Sequence, residues 1–239
     1  MTYCLGIKVR DGLIALADGR ITSGTQLASA RKMTIHGGEG ARFFVMTSGL
    51  RSLRDKVIAY LDRALAATGG PPATMLDAIG TYTSCLRVVT EEDKSALERS
   101  HLGFDLHALI GGQLADDPEP TIFLVYPVGN WIQIGERTPY LAIGNTGYGK
   151  PILDRALRFS TPMRTALKLA YLSFDSTRLS SADVGFPLDL ATLQAGERQW
   201  REAQFQDDEL RHQGDWWNEQ LKHLADAIPD GPWLVRLLP

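Results

Sequence analysis

The order of hydrophobic patterns along the chain predicts an α+β fold, with antiparallel sheets and helices layered outside them. Two observations carry this. Period-2 runs come in blocks that are separated by blocks of period 3.6. The turns inside the strand blocks are short and glycine-rich, as hairpins require. At 239 residues, 44% hydrophobic and 22% charged, the chain has enough apolar content for one substantial packed domain.

Met1-Thr2-Tyr3-Cys4-Leu5-Gly6-Ile7-Lys8-Val9 alternates like a strand, and Arg10-Asp11-Gly12 supplies hairpin chemistry. Leu13 to Ala17 then runs into Asp18 as a second, more buried strand. The fold is therefore expected to begin almost at residue 1, with no secretory signal before it. A polar stretch from Ile21 to Ala30 leads to Arg31-Lys32-Met33. Short strands follow at Met33–His36 and Arg42–Ser48, and Gly49 closes the second. Leu50, Leu53, Val57, Leu61 and Ala64 recur at three and four, marking a helix that ends near Gly69-Gly70. Met75, Ile79, Tyr82, Leu86 and Val89 form the stripe of another.

Strand patterns return at His107–Ile110, Thr121–Tyr126, Trp131–Ile134 and Tyr140–Ile143. Helical patterns then cover Pro151–Arg158 and Met163 to Phe174, and Val184–Leu190 reads as a strand. The last fifty residues read as mostly helical and polar, with Trp217, Leu221, Leu224 and Ile228 on one face. Residues 1–239 thus form a single domain with a helical C-terminal extension from about 194.

Composition excludes several functions. The net charge of −3 and the lack of a long basic block argue against nucleic acid as a partner. No apolar run approaches the ~18 residues of a membrane helix. Two cysteines, Cys4 and Cys85, are too few for a disulfide framework and suit a reducing cytoplasm. Gly144-Asn145-Thr146-Gly147-Tyr148-Gly149-Lys150 has phosphate-loop spacing, but Pro151 stands where a hydroxyl must hold magnesium. The segment is expected to be a glycine-rich turn, Pro151 suiting the first turn of a helix. The five histidines fall in separate elements and no Cys/His pair has zinc-site spacing, so neither metal nor cofactor is expected. No G-x-S-x-G elbow is present.

Thr2 remains. Methionine aminopeptidases remove Met1 when the next residue is small, and the product would carry a hydroxyl and a free α-amine on one residue. An amine with a pKa of about 8 can accept the hydroxyl proton, giving the N-terminal threonine variant of a nucleophile–base pair. Such a site needs a cation to favour the neutral amine, a carboxylate to hold that cation, and an N–H for the oxyanion. Asp18 ends the strand that a hairpin sets beside the first, Lys32 can present the ammonium, and Gly49 lies at a strand-to-helix junction. Retained Met1 would block the amine.

With those residues in order, the sequence resembles the proteasome β-subunit and HslV group of N-terminal nucleophile hydrolases. It is most similar to the bacterial ancestral β-subunit family, called Anbu or bacterial proteasome homologue. The resemblance rests on Thr2-Tyr3-Cys4-Leu5-Gly6-Ile7, Leu16-Ala17-Asp18-Gly19-Arg20, Arg31-Lys32-Met33 and Thr47-Ser48-Gly49. It continues through Ile143-Gly144, Tyr148-Gly149-Lys150-Pro151-Ile152-Leu153-Asp154 and Ser173-Phe174-Asp175-Ser176-Thr177.

The resemblance implies a four-layer αββα sandwich, Thr2 as nucleophile with its own amine as base, and Lys32 as activating cation. It further implies Asp18 as the partner of Lys32, the Gly49 N–H as oxyanion donor, and Asp175 as a supporting aspartate. This chain departs from the usual pattern at Gly19, where Asp-Ser-Arg reads Asp-Gly-Arg, and at Asn145, where proteasome subunits carry serine. Ser180, Ser181 and Asp183 all compete for the place of the supporting serine. The function implied is a self-assembling threonine-type peptidase or amidase acting on a peptide or amide. The rivals are a silent or highly selective assembly serving as chamber or scaffold, and a small-amide acylase of the same fold. Family partners implied are further copies in a ring or open spiral, with ATP-grasp and transglutaminase-like proteins associated.

Overall fold

A computed structural model describes residues 2–23, 26–38 and 41–237. The chain divides into two compact units, residues 1–205 and 206–239.

The first unit is built on two five-stranded antiparallel sheets. β1 (Tyr3–Val9) and β2 (Gly12–Asp18) form the expected hairpin, with Cys4 opposite Ala17 and Val9 opposite Gly12. β10 (Tyr140–Gly144) pairs with the other edge of β1. β11 (Leu188–Gln194) pairs with β2, and β12 (Arg201–Phe205) closes the order β10-β1-β2-β11-β12. The second sheet runs in sequence order through β5 (Met33–Gly38), β6 (Ala41–Gly49), β7 (Leu106–Gly112), β8 (Thr121–Val125) and β9 (Trp131–Gln133). Between β2 and β5 lies a separate hairpin of β3 (Arg20–Ser23) and β4 (Gln26–Ser29).

Strand alternation sorts side chains into three apolar layers. Phe43 and Val45 of β6, Ala108 and Ile110 of β7, and Phe123 and Val125 of β8 face α1 (Arg51–Ala67) and α2 (Met75–Arg99). Their neighbours Phe44, Met46, Leu109 and Ile122 turn the other way. There they pack between the sheets against Cys4, Leu13, Ala15, Ala17, Ala191 and Leu193. On the far side α4 (Met163–Ser180) packs on β1 and β2, beside α3 (Lys150–Ala156). Tyr3 ties that layer down, its hydroxyl 2.6 Å from the Ser173 hydroxyl. The result is the four-layer αββα sandwich implied by the resemblance.

Three stretches differ from the sequence expectation. The polar segment after Arg20 folds as the β3–β4 hairpin, although its residues show no clear apolar alternation. Residues 201–205, expected as helix, form the edge strand β12. Trp200 anchors that strand: its indole N–H donates to the Arg42 carbonyl at 2.9 Å and its ring meets Phe44 edge-on. Val184–Pro187 is loop, and β11 begins only at Leu188.

The second unit contains α5 (Asp207–Asp226) and the short α6 (Pro232–Val235). Gln206 and Glu209 form a reciprocal cap at the start of α5, and Asp207, Asp208 and Glu209 place negative charge at its positive dipole end. Trp216, Leu221, Leu224 and Ile228 are exposed. No helix among the described residues is long and apolar enough to cross a membrane.

Candidate active site

Thr2 enters the first sheet just ahead of β1 and is clamped by its backbone. Its carbonyl accepts the Asn145 N–H at 2.7 Å. The preceding Gly144 has φ of +89°, and a Cβ there would run into that same carbonyl. Only glycine fits. The turn that mimics a phosphate loop is thus the seat of Thr2. Lys150 is committed to the Tyr140 hydroxyl at 2.8 Å and Asp154 at 3.0 Å.

Beneath Thr2 lies Asp18, wholly buried at the end of β2. Its Oδ1 accepts the Tyr3 N–H and the Lys32 ammonium, each at 2.8 Å, and its Oδ2 accepts the Gly185 N–H at 3.3 Å. A buried carboxylate is costly unless satisfied in this way. Burial still pushes the Asp18 carboxyl above the ordinary carboxylate range, against the pull of Lys32 and the backbone donors. Cys4, which follows Tyr3, is wholly buried, and burial pushes its thiol up as well.

Thr2, Lys32 and Gly49 line one cavity of about 710 Å³, together with Arg20, Thr47, Ser48, Arg51, Arg54, Asp105 and Gly144. Gly49 is the last residue of β6, with φ of +140°, and a Cβ there would strike the Asp105 carbonyl. α1 starts two residues later without a side-chain cap, so its positive dipole end opens at the cavity. Nucleophile candidate, ammonium and a glycine backbone are therefore assembled from three separate segments. Asp175 is not among the residues lining the cavity. Its Oδ1 accepts the Arg178 guanidinium at 2.8 Å and the Tyr171 hydroxyl at 3.5 Å, both from its own helix.

Among the described residues no group of three or more His, Cys, Asp or Glu could hold a metal ion. The open choice between Ser180, Ser181 and Asp183 has a structural counterpart in the loop after α4. That loop reaches the site through its backbone: the Ala182 carbonyl accepts Arg20 at 3.0 Å, and Gly185 holds Asp18. Sequence reasoning missed these backbone groups, together with the Tyr3 N–H, Arg20 and Ser48. Backbone groups carry no residue signature, whereas Arg20 and Ser48 stood in recognised blocks without an assigned role.

No protein-family model matches the chain, and no curated protein does. Solved structures do. A helical assembly of the Anbu complex from Pseudomonas aeruginosa is 30% identical with a TM-score of 0.88, covering 96% of this chain and 98% of that one. Anbu from Yersinia bercovieri is 26% identical with a TM-score of 0.87, covering 96% and 98%. An Anbu Gly-1 mutant from Hyphomicrobium sp. strain MC1 is 27% identical with a TM-score of 0.88, covering 97% and 99%. Similarity of this extent over nearly the whole of both chains, joined to the Thr2–Asp18–Lys32 arrangement, identifies the chain as a member of the Anbu (ancestral β-subunit) family.

Proposed function

We propose that this protein is a self-assembling amide hydrolase whose nucleophile is Thr2, exposed by removal of Met1. The observation that carries the reading is the Lys32–Asp18–Tyr3 N–H cluster, buried beside a residue whose hydroxyl would gain a free amine. The amine accepts the hydroxyl proton as Oγ attacks the substrate carbonyl. Lys32 disfavours a second positive charge on that amine and stabilises the developing alkoxide, while Asp18 holds the ammonium in place. The Gly49 N–H takes the oxyanion. The amine then passes its proton to the leaving nitrogen, an ester remains on Thr2, and water resolves it. Asp175 enters this reading as a buried helix anchor that supports α4 behind Tyr3.

Assembly into a homo-oligomer is part of the same reading, supported by the helical assembly of the Pseudomonas aeruginosa relative. The test is turnover of a panel of fluorogenic peptide amides and small acyl amides by the assembled protein. Hydrolysis that Thr2→Ala abolishes, with assembly size unchanged by sedimentation, is the expected result. The balance of peptide against small-amide turnover separates peptidase from acylase. Equal turnover by Thr2→Ala would remove Thr2 from the role, and no turnover of any substrate would favour a silent chamber.

A further inference from the structure

The charges around Thr2 are unequal in sign. Four cationic side chains, Arg20, Lys32, Arg51 and Arg54, line the cavity against a single carboxylate, Asp105. Two of these charges are accounted for by buried or shared acids. Lys32 is held by Asp18. Arg51 and Arg54 both draw on Asp55, at 3.3 Å and 2.6 Å, so two cations share one anion. Arg20 has its hydrogen bond to the Ala182 carbonyl, a neutral acceptor, and no carboxylate within ion-pair distance among the described residues. Its guanidinium is packed where a Cβ of residue 185 would stand, which fixes its position at the cavity wall. The uncapped start of α1 adds its positive end to the same space.

A side pocket of about 220 Å³ adjoins the cavity and shares Lys32, Thr47 and Arg54 with it. Its balance is different. Arg31 is engaged by Asp189 and Glu202, each at 3.6 Å. Asp55 and Asp62 both stand on the pocket wall, Asp62 bonded to His36 at 2.9 Å. The excess of positive charge is therefore in the main cavity and not in the side pocket.

We propose that the substrate processed at Thr2 bears a carboxylate beside the scissile amide, held in the main cavity by Arg20 with Arg51 and Arg54. This rests on the Thr2 reading above and names its substrate class. The recognising chemistry is guanidinium to carboxylate, a charge-assisted pairing that can be bidentate. The carboxylate can come from an Asp or Glu side chain of a peptide or from a free C-terminus.

The test uses the assembled protein and three internally quenched peptides that differ only in the residues flanking the scissile bond: acidic, neutral or basic, all C-terminally amidated. A fourth peptide is neutral with a free C-terminal carboxylate close to the scissile bond. The expected result is kcat/KM about tenfold higher for the acidic or free-carboxylate peptide than for the basic one, narrowing as salt is raised. Preference for the acidic or for the free-carboxylate peptide tells which source supplies the group. Arg51→Gln, on an exposed side chain, should reduce severalfold the ratio of acidic-peptide to neutral-peptide kcat/KM measured on the same variant. Arg20→Gln should reduce it further, provided the protein keeps its native melting behaviour. Equal or faster cleavage of the basic peptide overturns the proposal and leaves the hydrolase reading intact. The same peptides are also titrated by fluorescence anisotropy onto Thr2→Ala. Selective binding of acidic peptide without wild-type cleavage would retain the specificity and sink the hydrolase; no binding and no cleavage would sink both.

Discussion

Asp18 is the residue on which the site depends most. It is wholly buried, its two oxygens take three donors from three segments, and it fixes Lys32 beside Thr2. Asp18→Ala removes the carboxylate partner of a buried ammonium, and breaking such a pair costs about 3–5 kcal/mol. Denaturant unfolding should show a loss of that size, together with loss of hydrolysis; an active variant of native stability would place Asp18 outside the site. Its pH behaviour follows from the raised carboxyl. A folded-state pKa above the unfolded one means the native protein takes up the proton first. This group's contribution to stability therefore falls as pH rises through the window between the two values, and grows on acidification. Activity should move in the opposite sense, because protonation dissolves the Asp18–Lys32 pair. A pH–rate profile should show an acid limb above the ordinary aspartate range while the fold at this site holds.

Thr2, Asp18, Lys32 and Gly49, the members of the candidate site, could be picked from the sequence because a hydroxyl, a carboxylate, an ammonium and a turn glycine each have a residue-type signature. What holds them was not. The Asn145, Tyr3 and Gly185 N–H groups act through the backbone, and any residue other than proline could have supplied them. Asp175, an aspartate within a matching block, is paired with Arg178 on its own helix and stands away from the cavity lining.

At the scale of elements, hairpins and sheet edges decide the site. The β1–β2 turn was readable from its hairpin residues, and β6 to β8 from their short apolar runs, because a strand covered on both faces buries nearly every side chain. The β3–β4 hairpin and β12 were not. Arg201, Glu202, Ala203 and Gln204 are exposed, so this edge strand carries no apolar pattern, and its place is set by β11 and by Trp200. Trp200→Ala should cost about 3–5 kcal/mol and release β12, seen as fast hydrogen exchange at residues 201–205; protected amides there would contradict this anchoring. The Thr2 seat is a second element-scale test. Gly144→Ala places a methyl against the Thr2 carbonyl at a backbone angle that favours glycine, a strain of about 1–3 kcal/mol. Catalysis should fall far more than stability, because the clamp positions the attacking hydroxyl.

For the whole molecule, the four-layer unit supplies the site and the C-terminal unit supplies a surface. Leu221, Leu224 and Ile228, on the face read from the sequence, are exposed along and just beyond α5, whose start is capped by Gln206 and Glu209. On the reading of a self-assembling protein, this face is where copies meet. Leu221→Glu with Leu224→Glu should lower the sedimentation coefficient of the assembly and leave far-UV circular dichroism unchanged. An assembly of unaltered size would place the contacts on the first unit instead.

The most direct test of the central claim is intact mass of protein made without an N-terminal tag, before and after an epoxyketone that reacts with N-terminal threonine. Loss of Met1 and a single adduct are expected, both the adduct and hydrolysis being absent in Thr2→Ala. Retained Met1 with no adduct would contradict the claim, and would leave a proteasome-like assembly whose Thr2 is not a nucleophile.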